Sequence, residues 1–248
     1  GICLGMQLMG CYKNKFEDVD VDSLIGDGSK ALNSASDVTV ICSGNNTIEE
    51  IEAIKEFADS KGYKIGFYAD NLKNYEEVAS YEDIENAEKV FVIGDLLYEN
   101  PLIGRRIVHA KQNGAKIYAF VNSEASVTFN IAYECFNDSV AEFLDAVKGD
   151  VYESSVLVFN QIDTVDDLDK IDGLNCKLLP VFSKSNSKGA LKLLEPKSKD
   201  EMFELLDDTK VLLVFNDDIV DELEYDFSKI SKIISFAPCA NKTTEISD

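Results

Sequence analysis

The sequence predicts an α/β protein built on parallel sheets, and two series of apolar runs support that prediction. The first series begins near residues 38, 63, 89 and 115, and this spacing fits a strand, a helix and their short loops. The second series lies at residues 156–159, 177–182, 211–215 and 232–236. We therefore expect parallel βα-type sheets in two lobes.

Helix signals lie between the apolar runs. Thr47 and Glu50 have the spacing of a capping box at the start of a helix that ends at Gly62. Ser198 and Glu201 repeat that spacing before a later helix. Small or polar residues follow each predicted strand, and open α/β sheets bind ligands at that edge. Any binding site is therefore expected where the strands end.

The spacing of the runs also suggests a division of the chain. Residues 1–36 lack clean periodicity and are expected to form an irregular N-terminal segment. Residues 37–150 are predicted to form the first α/β lobe and residues 151–248 the second. The chain begins without an initiator methionine, so we expect it to be a fragment of a longer protein.

Charge is the most unusual property of the composition. The chain has 46 acidic and 24 basic residues, which give a net charge of −22. Such a surface repels a phosphate backbone, so nucleic acid is not an expected partner. Arg105 and Arg106 are the only arginines. We expect one of them to face an acidic partner surface or to pair with Glu99 or a neighbouring Asp, because Arg binds carboxylates bidentately.

The cysteines and the hydropathy pattern indicate where in the cell the protein is expected to lie. The six cysteines do not have metal-ligand spacing, which favours reduced thiols in a cytoplasmic protein. No apolar run is long enough to cross a bilayer, so direct membrane insertion is not expected.

Residues 90–114 carry the strongest local signal for a binding site. An apolar run ends at Gly94, and Pro101 opens a predicted helix. This pattern places Gly94, Asp95 and Glu99 at the carboxyl end of a strand, where α/β proteins bind ligands.

Three segments in order resemble the molybdopterin oxidoreductase superfamily. The first runs from Gly94 to the Gly-Ala-Lys at Gly114, the second is the Asn-x-x-Gly-Ala loop at Asn186, and the third begins at Thr244. The resemblance covers roughly residues 37–248 and implies Rossmann-like lobes. The positions that the resemblance assigns to cofactor binding are Gly94, Asp95, Glu99, Arg105, Asn186 and Gly189.

Departures from the superfamily pattern point to a cofactor-free relative. Asp95 stands where the superfamily has a Ser, and Asn100 stands where a His is common. After the second strand, no Cys or Ser that could bind molybdenum or tungsten occurs before Ser80. The combination is similar to the C-terminal part of the large peripheral-arm subunit of NADH-quinone oxidoreductase (respiratory complex I), which keeps the fold without the cofactor.

This resemblance implies a structural, non-catalytic part of an electron-transferring enzyme rather than a catalytic domain. It further implies iron–sulfur clusters elsewhere in the parent chain, other subunits of a respiratory complex as partners, and a cytoplasmic location peripheral to the inner membrane. No catalytic residue and no metal ligand is assigned within the chain.

Three alternatives remain open at this point. The chain could be a pterin-binding domain of a formate-dehydrogenase-like oxidoreductase, with molybdopterin as cofactor, or a divergent nucleotide- or sugar-binding protein. The segment around Cys3 also resembles the nucleophile elbow of class I glutamine amidotransferases. That chemistry needs a histidine base, and the single histidine, His109, lies inside a predicted helix. We therefore expect no glutaminase activity.

Overall fold

The fold is known from a computed structural model of the chain. It describes residues 35–69, 71–121, 126–160, 162 and 164–248, together with 11–12, 15–16 and some positions between 26 and 33. As the sequence predicts, the protein is α/β, and its two larger sheets are parallel throughout. The chain divides into two compact units, one formed by the described residues up to 68 with Lys184–Asp248 and one formed by Ala69–Ser183.

The described elements are as follows in chain order. The strands are β1 (Cys11–Tyr12), β2 (Lys15–Phe16), β3 (Val38–Ile41), β4 (Lys64–Gly66), β5 (Lys89–Ile93), β6 (Lys116–Phe120), β7 (Glu134–Phe136), β8 (Ser155–Phe159), β9 (Lys177–Pro180), β10 (Val211–Phe215) and β11 (Lys232–Phe236). The helices are α1 (Ile48–Lys61), α2 (Tyr81–Asn86), α3 (Leu96–Glu99), α4 (Pro101–Gln112), α5 (Val127–Ile131), α6 (Val140–Val147), α7 (Val165–Asp172), α8 (Ser187–Leu193), α9 (Lys199–Asp207), α10 (Ile219–Glu222) and α11 (Lys242–Glu245), with a 3-10 turn at Phe227–Lys229.

The first unit is built on a four-stranded sheet in the order β11-β10-β3-β4. In its registers, Val211 of β10 lies opposite Val38 of β3 on one side and Lys232 of β11 on the other. All four residues of β3 are buried, as expected for a parallel strand covered on both faces. One core cluster of this unit contains Ile41, Met202, Leu206, Leu212, Val214, Ile219, Leu223, Phe227, Ile230 and Ile233.

The second unit is built on a five-stranded sheet in the order β7-β6-β5-β8-β9. Its central strand, β5, runs alongside β6 and β8, and residues 90–93 are buried. Two apolar clusters lie in this unit, one around Val92 and Ile107 and the other around Phe91 and Phe143. The central position of β5 determines where its carboxyl end emerges, between the ends of two neighbouring strands.

The predicted helix starts are confirmed at atomic detail. Thr47 accepts a hydrogen bond from the Glu50 amide at 3.2 Å, and Glu50 accepts one from the Thr47 amide at 3.0 Å. Ser198 and Glu201 form the same reciprocal pair before α9. These pairs satisfy amides that a helix start leaves without intrahelical partners.

The predicted division near residue 150 differs from the division that the structure shows. Strands β8 and β9 follow residue 150, yet β8 pairs with β5 and completes the sheet of the second unit. Strands β10 and β11 instead belong to the sheet of β3, to which β10 pairs directly. Ala69–Ser183 is therefore a continuous segment placed within the sequence of the first unit. Strand order, which apolar runs do not encode, is the physical reason for the difference.

The irregular segment predicted at residues 1–36 lies largely outside the described residues, and its described part includes the antiparallel pair β1–β2.

Within the described ranges, none of the helices combines the length and apolar character needed to span a bilayer.

Candidate functional site

The loop after β5 contains the first group of predicted site residues. Gly94 has a φ of 100°, which L side chains rarely adopt, and its amide donates to the Phe120 carbonyl at 3.0 Å. A Cβ added to Gly94 would lie 2.0 Å from Oδ1 of Asn160. Only glycine therefore fits here without moving its neighbours.

Asp95 is held by hydroxyl and amide donors from the start of α5. Its Oδ1 accepts hydrogen bonds from Ser126 Oγ at 2.7 Å, Thr128 Oγ1 at 2.8 Å and the Thr128 amide at 3.1 Å. Burial raises the pKa of Asp95, but these hydrogen bonds together lower it by more, so the net pKa lies below the ordinary value. Asp95 is accordingly an ionised carboxylate that uses one oxygen to anchor α5.

Glu99 completes this edge through Asn160, which follows β8. Asn160 Nδ2 donates to a carboxylate oxygen of Glu99, although 61 residues separate the two in sequence. Asn160 is 8% exposed, and its Oδ1 is a buried acceptor without a hydrogen-bond partner among the described residues. That oxygen lies against Gly94. We call Gly94, Asp95, Glu99 and Asn160 the β5 edge.

The two arginines of α4 have different surroundings. Arg106 donates to Glu85 of α2 at 2.5 Å, and its guanidinium lies 5.2 Å from the centre of the Tyr81 ring. His109 Nδ1 is 3.4 Å from the same carboxylate of Glu85. Arg105 is exposed and forms no ion pair with any residue that the structure describes. The internal pair predicted for an arginine therefore forms with Glu85, not with Glu99, because α2 packs against α4.

The second group of predicted residues lies in the first unit. Asn186 donates through Nδ2 to the Asn46 carbonyl at 2.8 Å, and its amide donates to the Gly44 carbonyl at 2.8 Å. A Cβ at Gly189 would lie 2.1 Å from Asn186 Oδ1. Asn186 thus joins the loop after β3 to the start of α8, and its side chain is engaged within the unit.

A charged cluster near Asn186 was not singled out from the sequence. Lys184 Nζ lies 2.8 Å from Asp217 Oδ1 and 2.6 Å from Glu222 Oε1. The side chain of Lys184 is 10% exposed and that of Asp217 is 1% exposed. Burial lowers the pKa of Lys184, but the two carboxylates raise it more, so the net pKa lies above the ordinary value. Asp217 Oδ2 is buried without a partner within the described part of the chain.

Cys42, at the end of β3, belongs to the same neighbourhood. It is fully buried, and burial together with the negative charge of Asp217 raises its pKa to about 12. A thiol with so high a pKa is not a nucleophile at neutral pH. Through the ion pairs of Lys184, the cluster joins the segment after β9 to residues that follow β10.

The sequence-predicted residues are thus divided between the units. Gly94, Asp95 and Glu99 lie together in the second unit with Arg105 on the adjoining helix, whereas Asn186 and Gly189 lie in the first. Cys3 lies outside the described residues. Among the residues that are described, no group of three His, Cys, Asp or Glu side chains could hold a metal ion.

The sequence indicates that polar residues follow the strands, but it does not indicate which of these residues contact one another. A sequence shows that Asn160 follows an apolar run, whereas its contact with Glu99 depends on β8 being the neighbour of β5. The same holds for Lys184, whose partners follow β10. Polar residues at the ends of the strands were the only available signal.

Comparison with protein-family models and with curated proteins gives no significant match to this chain.

Proposed function

We propose that the chain is a non-catalytic structural domain of the peripheral arm of NADH-quinone oxidoreductase, similar to the cofactor-free C-terminal part of its large peripheral-arm subunit. In this proposal it supports electron transfer from NADH to quinone by packing against other subunits. The iron–sulfur clusters lie elsewhere in the parent chain. The protein is cytoplasmic and reaches the inner membrane only through the parent complex.

The negative charge and the internal hydrogen bonds of the β5 edge are the observation that supports this proposal. By resemblance, a pterin nucleotide would contact this edge, and its phosphates would meet the ionised carboxylate of Asp95. Asp95 already binds Ser126 and Thr128, and Glu99 already binds Asn160. Binding an anion here would cost both the repulsion between like charges and the loss of these hydrogen bonds.

Purification of the tagged full-length protein from its source cells tests the proposal. We expect other subunits of an NADH-quinone oxidoreductase to copurify, with iron but neither molybdenum nor tungsten. The preparation should reduce ferricyanide with NADH. Stoichiometric molybdenum or tungsten with an oxidised pterin, together with formate-dependent dye reduction, would instead establish the formate-dehydrogenase-like alternative.

Asp95→Asn provides a matched variant because it removes the charge of Asp95 with little change in shape. For a structural domain we expect NADH oxidation by the complex to stay within about twofold of the native value. If Asp95 contacted a cofactor, Asp95→Asn would instead change both the metal content and the rate of formate oxidation.

A further inference from the structure

The surface formed by α3 and α4 exposes a combination of residues that is unusual for this chain. Tyr98 is 75% exposed and Leu102 is 72% exposed, which makes them the most exposed of the large apolar residues in the described ranges. Arg105, also exposed, lies one turn after Leu102 on α4. We call these three residues the α3–α4 surface.

The adjoining helix extends the apolar part of this surface. Helix α5 is joined to α3 by the bonds between Asp95 and Thr128 and by the Leu97 amide, which lies 3.4 Å from Thr128 Oγ1. Val127 and Phe129, on either side of Thr128, are 46% and 37% exposed. Hydrogen bonds thus fix the helix that carries these apolar side chains beside α3.

Charge complementarity favours an acidic partner for this surface. Arg106 is already paired with Glu85, but Arg105 has no acidic partner among the described residues. An exposed guanidinium one helical turn from an exposed apolar side chain is suited to a carboxylate, which it can bind bidentately. Tyr and Arg are also the residues most enriched where protein interfaces gain their binding energy.

The overall charge argues against other occupants. At −22, the chain repels an anionic membrane and nucleic acid, and a second copy would carry the same charge. A partner of lower net negative charge that presents a single carboxylate to Arg105 avoids this long-range repulsion.

We propose that the α3–α4 surface is a docking site for a partner-protein segment that carries an Asp or Glu flanked by apolar side chains. The inference rests on the proposed function in one respect, because it takes the partner to be a subunit of the same complex. It adds the location of the contact and the chemistry of the segment that makes it.

A photo-cross-linking experiment tests the docking site in the full-length protein. Tyr98 is replaced by p-benzoylphenylalanine, which keeps the aromatic ring, and the protein is irradiated in its source cells. We expect one dominant cross-link, to a peptide of another protein that has an Asp or Glu within a few residues of apolar side chains. Arg105→Glu should lower the yield of this cross-link at least tenfold.

Lys111→Glu is the matched control, since it makes the same change of charge at an exposed position on another face of α4. We expect the cross-link yield of this variant to lie within twofold of the yield from the protein in which Lys111 is unchanged. Circular dichroism checks that both variants keep their fold. A reversal of the partner's carboxylate to Arg should restore cross-linking to the Arg105→Glu protein.

Other outcomes overturn the inference. These are the absence of a dominant cross-link, adducts with lipid or with a second copy, and a yield that Arg105→Glu leaves unchanged. The proposed function fails separately, through metal content and formate turnover. A cross-link to part of a formate dehydrogenase that depends on Arg105 would keep the docking site and reject the NADH-quinone oxidoreductase assignment.

Discussion

Gly94 and Gly114 form a natural pair for measuring what the β5 edge contributes to stability. Both have a positive φ, 100° and 104°, but their surroundings differ. A Cβ at Gly94 would lie 2.0 Å from Asn160 Oδ1, whereas a Cβ at Gly114 would have no atom within 4 Å. Backbone strain acts at both positions, and a side-chain clash acts only at Gly94.

We expect Gly114→Ala to lower the free energy of unfolding by about 1–2 kcal/mol, from backbone strain. Gly94→Ala should cost roughly 1–3 kcal/mol more, because Asn160 must move away and release Glu99. Urea unfolding of the two variants measures the difference. Equal costs would mean that Asn160 moves freely, contrary to the packing described for the β5 edge.

Lys184 offers a second test at the scale of single residues. Lys184→Met leaves Asp217 buried without its cation, and we expect a loss of about 3–5 kcal/mol in the free energy of unfolding. Lys242→Met removes a lysine from the pair with Asp221, in which both side chains are more than half exposed, and should cost less than about 1 kcal/mol. Denaturant titrations of both variants compare the two pairs, and similar losses would contradict the burial of Lys184.

The pH dependence of the Lys184 contribution follows from the direction of its pKa shift. The folded-state pKa lies above the ordinary value of 10.5, because Asp217 and Glu222 favour the charged form. The contribution is therefore fully present below pH 10.5 and is lost as the pH rises through the folded-state pKa. The difference between the native protein and Lys184→Met should therefore stay constant at neutral and mildly alkaline pH.

Among the elements, the strands were the most predictable part of the fold. Apolar runs coincide with the eight strands β3, β4, β5, β6, β8, β9, β10 and β11, because strands buried in parallel sheets need apolar side chains on both faces. Strand β7 was missed, since its residues, Glu134–Phe136, lie at the sheet edge, where the first is exposed and the other two are partly buried, and form no apolar run. Pairing order was not predictable, because a buried strand's composition does not identify its neighbours.

The candidate site, like the fold, could be predicted only in part from the sequence. The position of Gly94 and Asp95 after β5 followed from the apolar run and the glycine. The bond between Asn160 and Glu99 did not, since it requires β8 beside β5. Residues adjacent in the sequence could be located, and residues brought together by strand order could not.

The capping box before α9 gives a prediction for a whole element. Ser198 accepts a hydrogen bond from the Glu201 amide at 3.3 Å, and we expect Ser198→Ala to cost about 1 kcal/mol of unfolding free energy. Ser60→Ala, at an exposed position inside α1, is the control and should change stability by less than about 0.5 kcal/mol. Thermal unfolding of both variants measures the effect, and equal midpoints would show that the box does not stabilise α9.

This contribution also depends on pH in a defined direction. The backbone hydrogen bond from Ser198 lowers the pKa of Glu201, so the ionised form is favoured in the folded protein. The stabilisation is present above the ordinary value of 4.5 and is lost as the pH falls through the lower, folded-state pKa.

For the whole molecule, the division into units predicts how fragments behave. Residues 69–183 contain all five strands of the second sheet, so we expect this fragment to fold cooperatively by itself. A fragment of residues 37–150, the lobe expected from the sequence, lacks β8 and β9 and contains β3 without β10. We expect it to unfold without a cooperative transition. Circular dichroism during urea titration distinguishes the two, and cooperative unfolding of only the 37–150 fragment would reject the division.

The interrupted first unit has a consequence for how the protein is made. On the ribosome, β3 and β4 emerge early, but β10, which completes the pairing of β3, is added after residues 69–183. At common elongation rates of about 5–20 residues per second, this delay is on the order of ten seconds. The middle of the chain can therefore finish folding while the segment synthesised before it still awaits a partner strand. Nascent β3 therefore presents an open hydrogen-bonding edge, a template for pairing with other strands, until β10 is made.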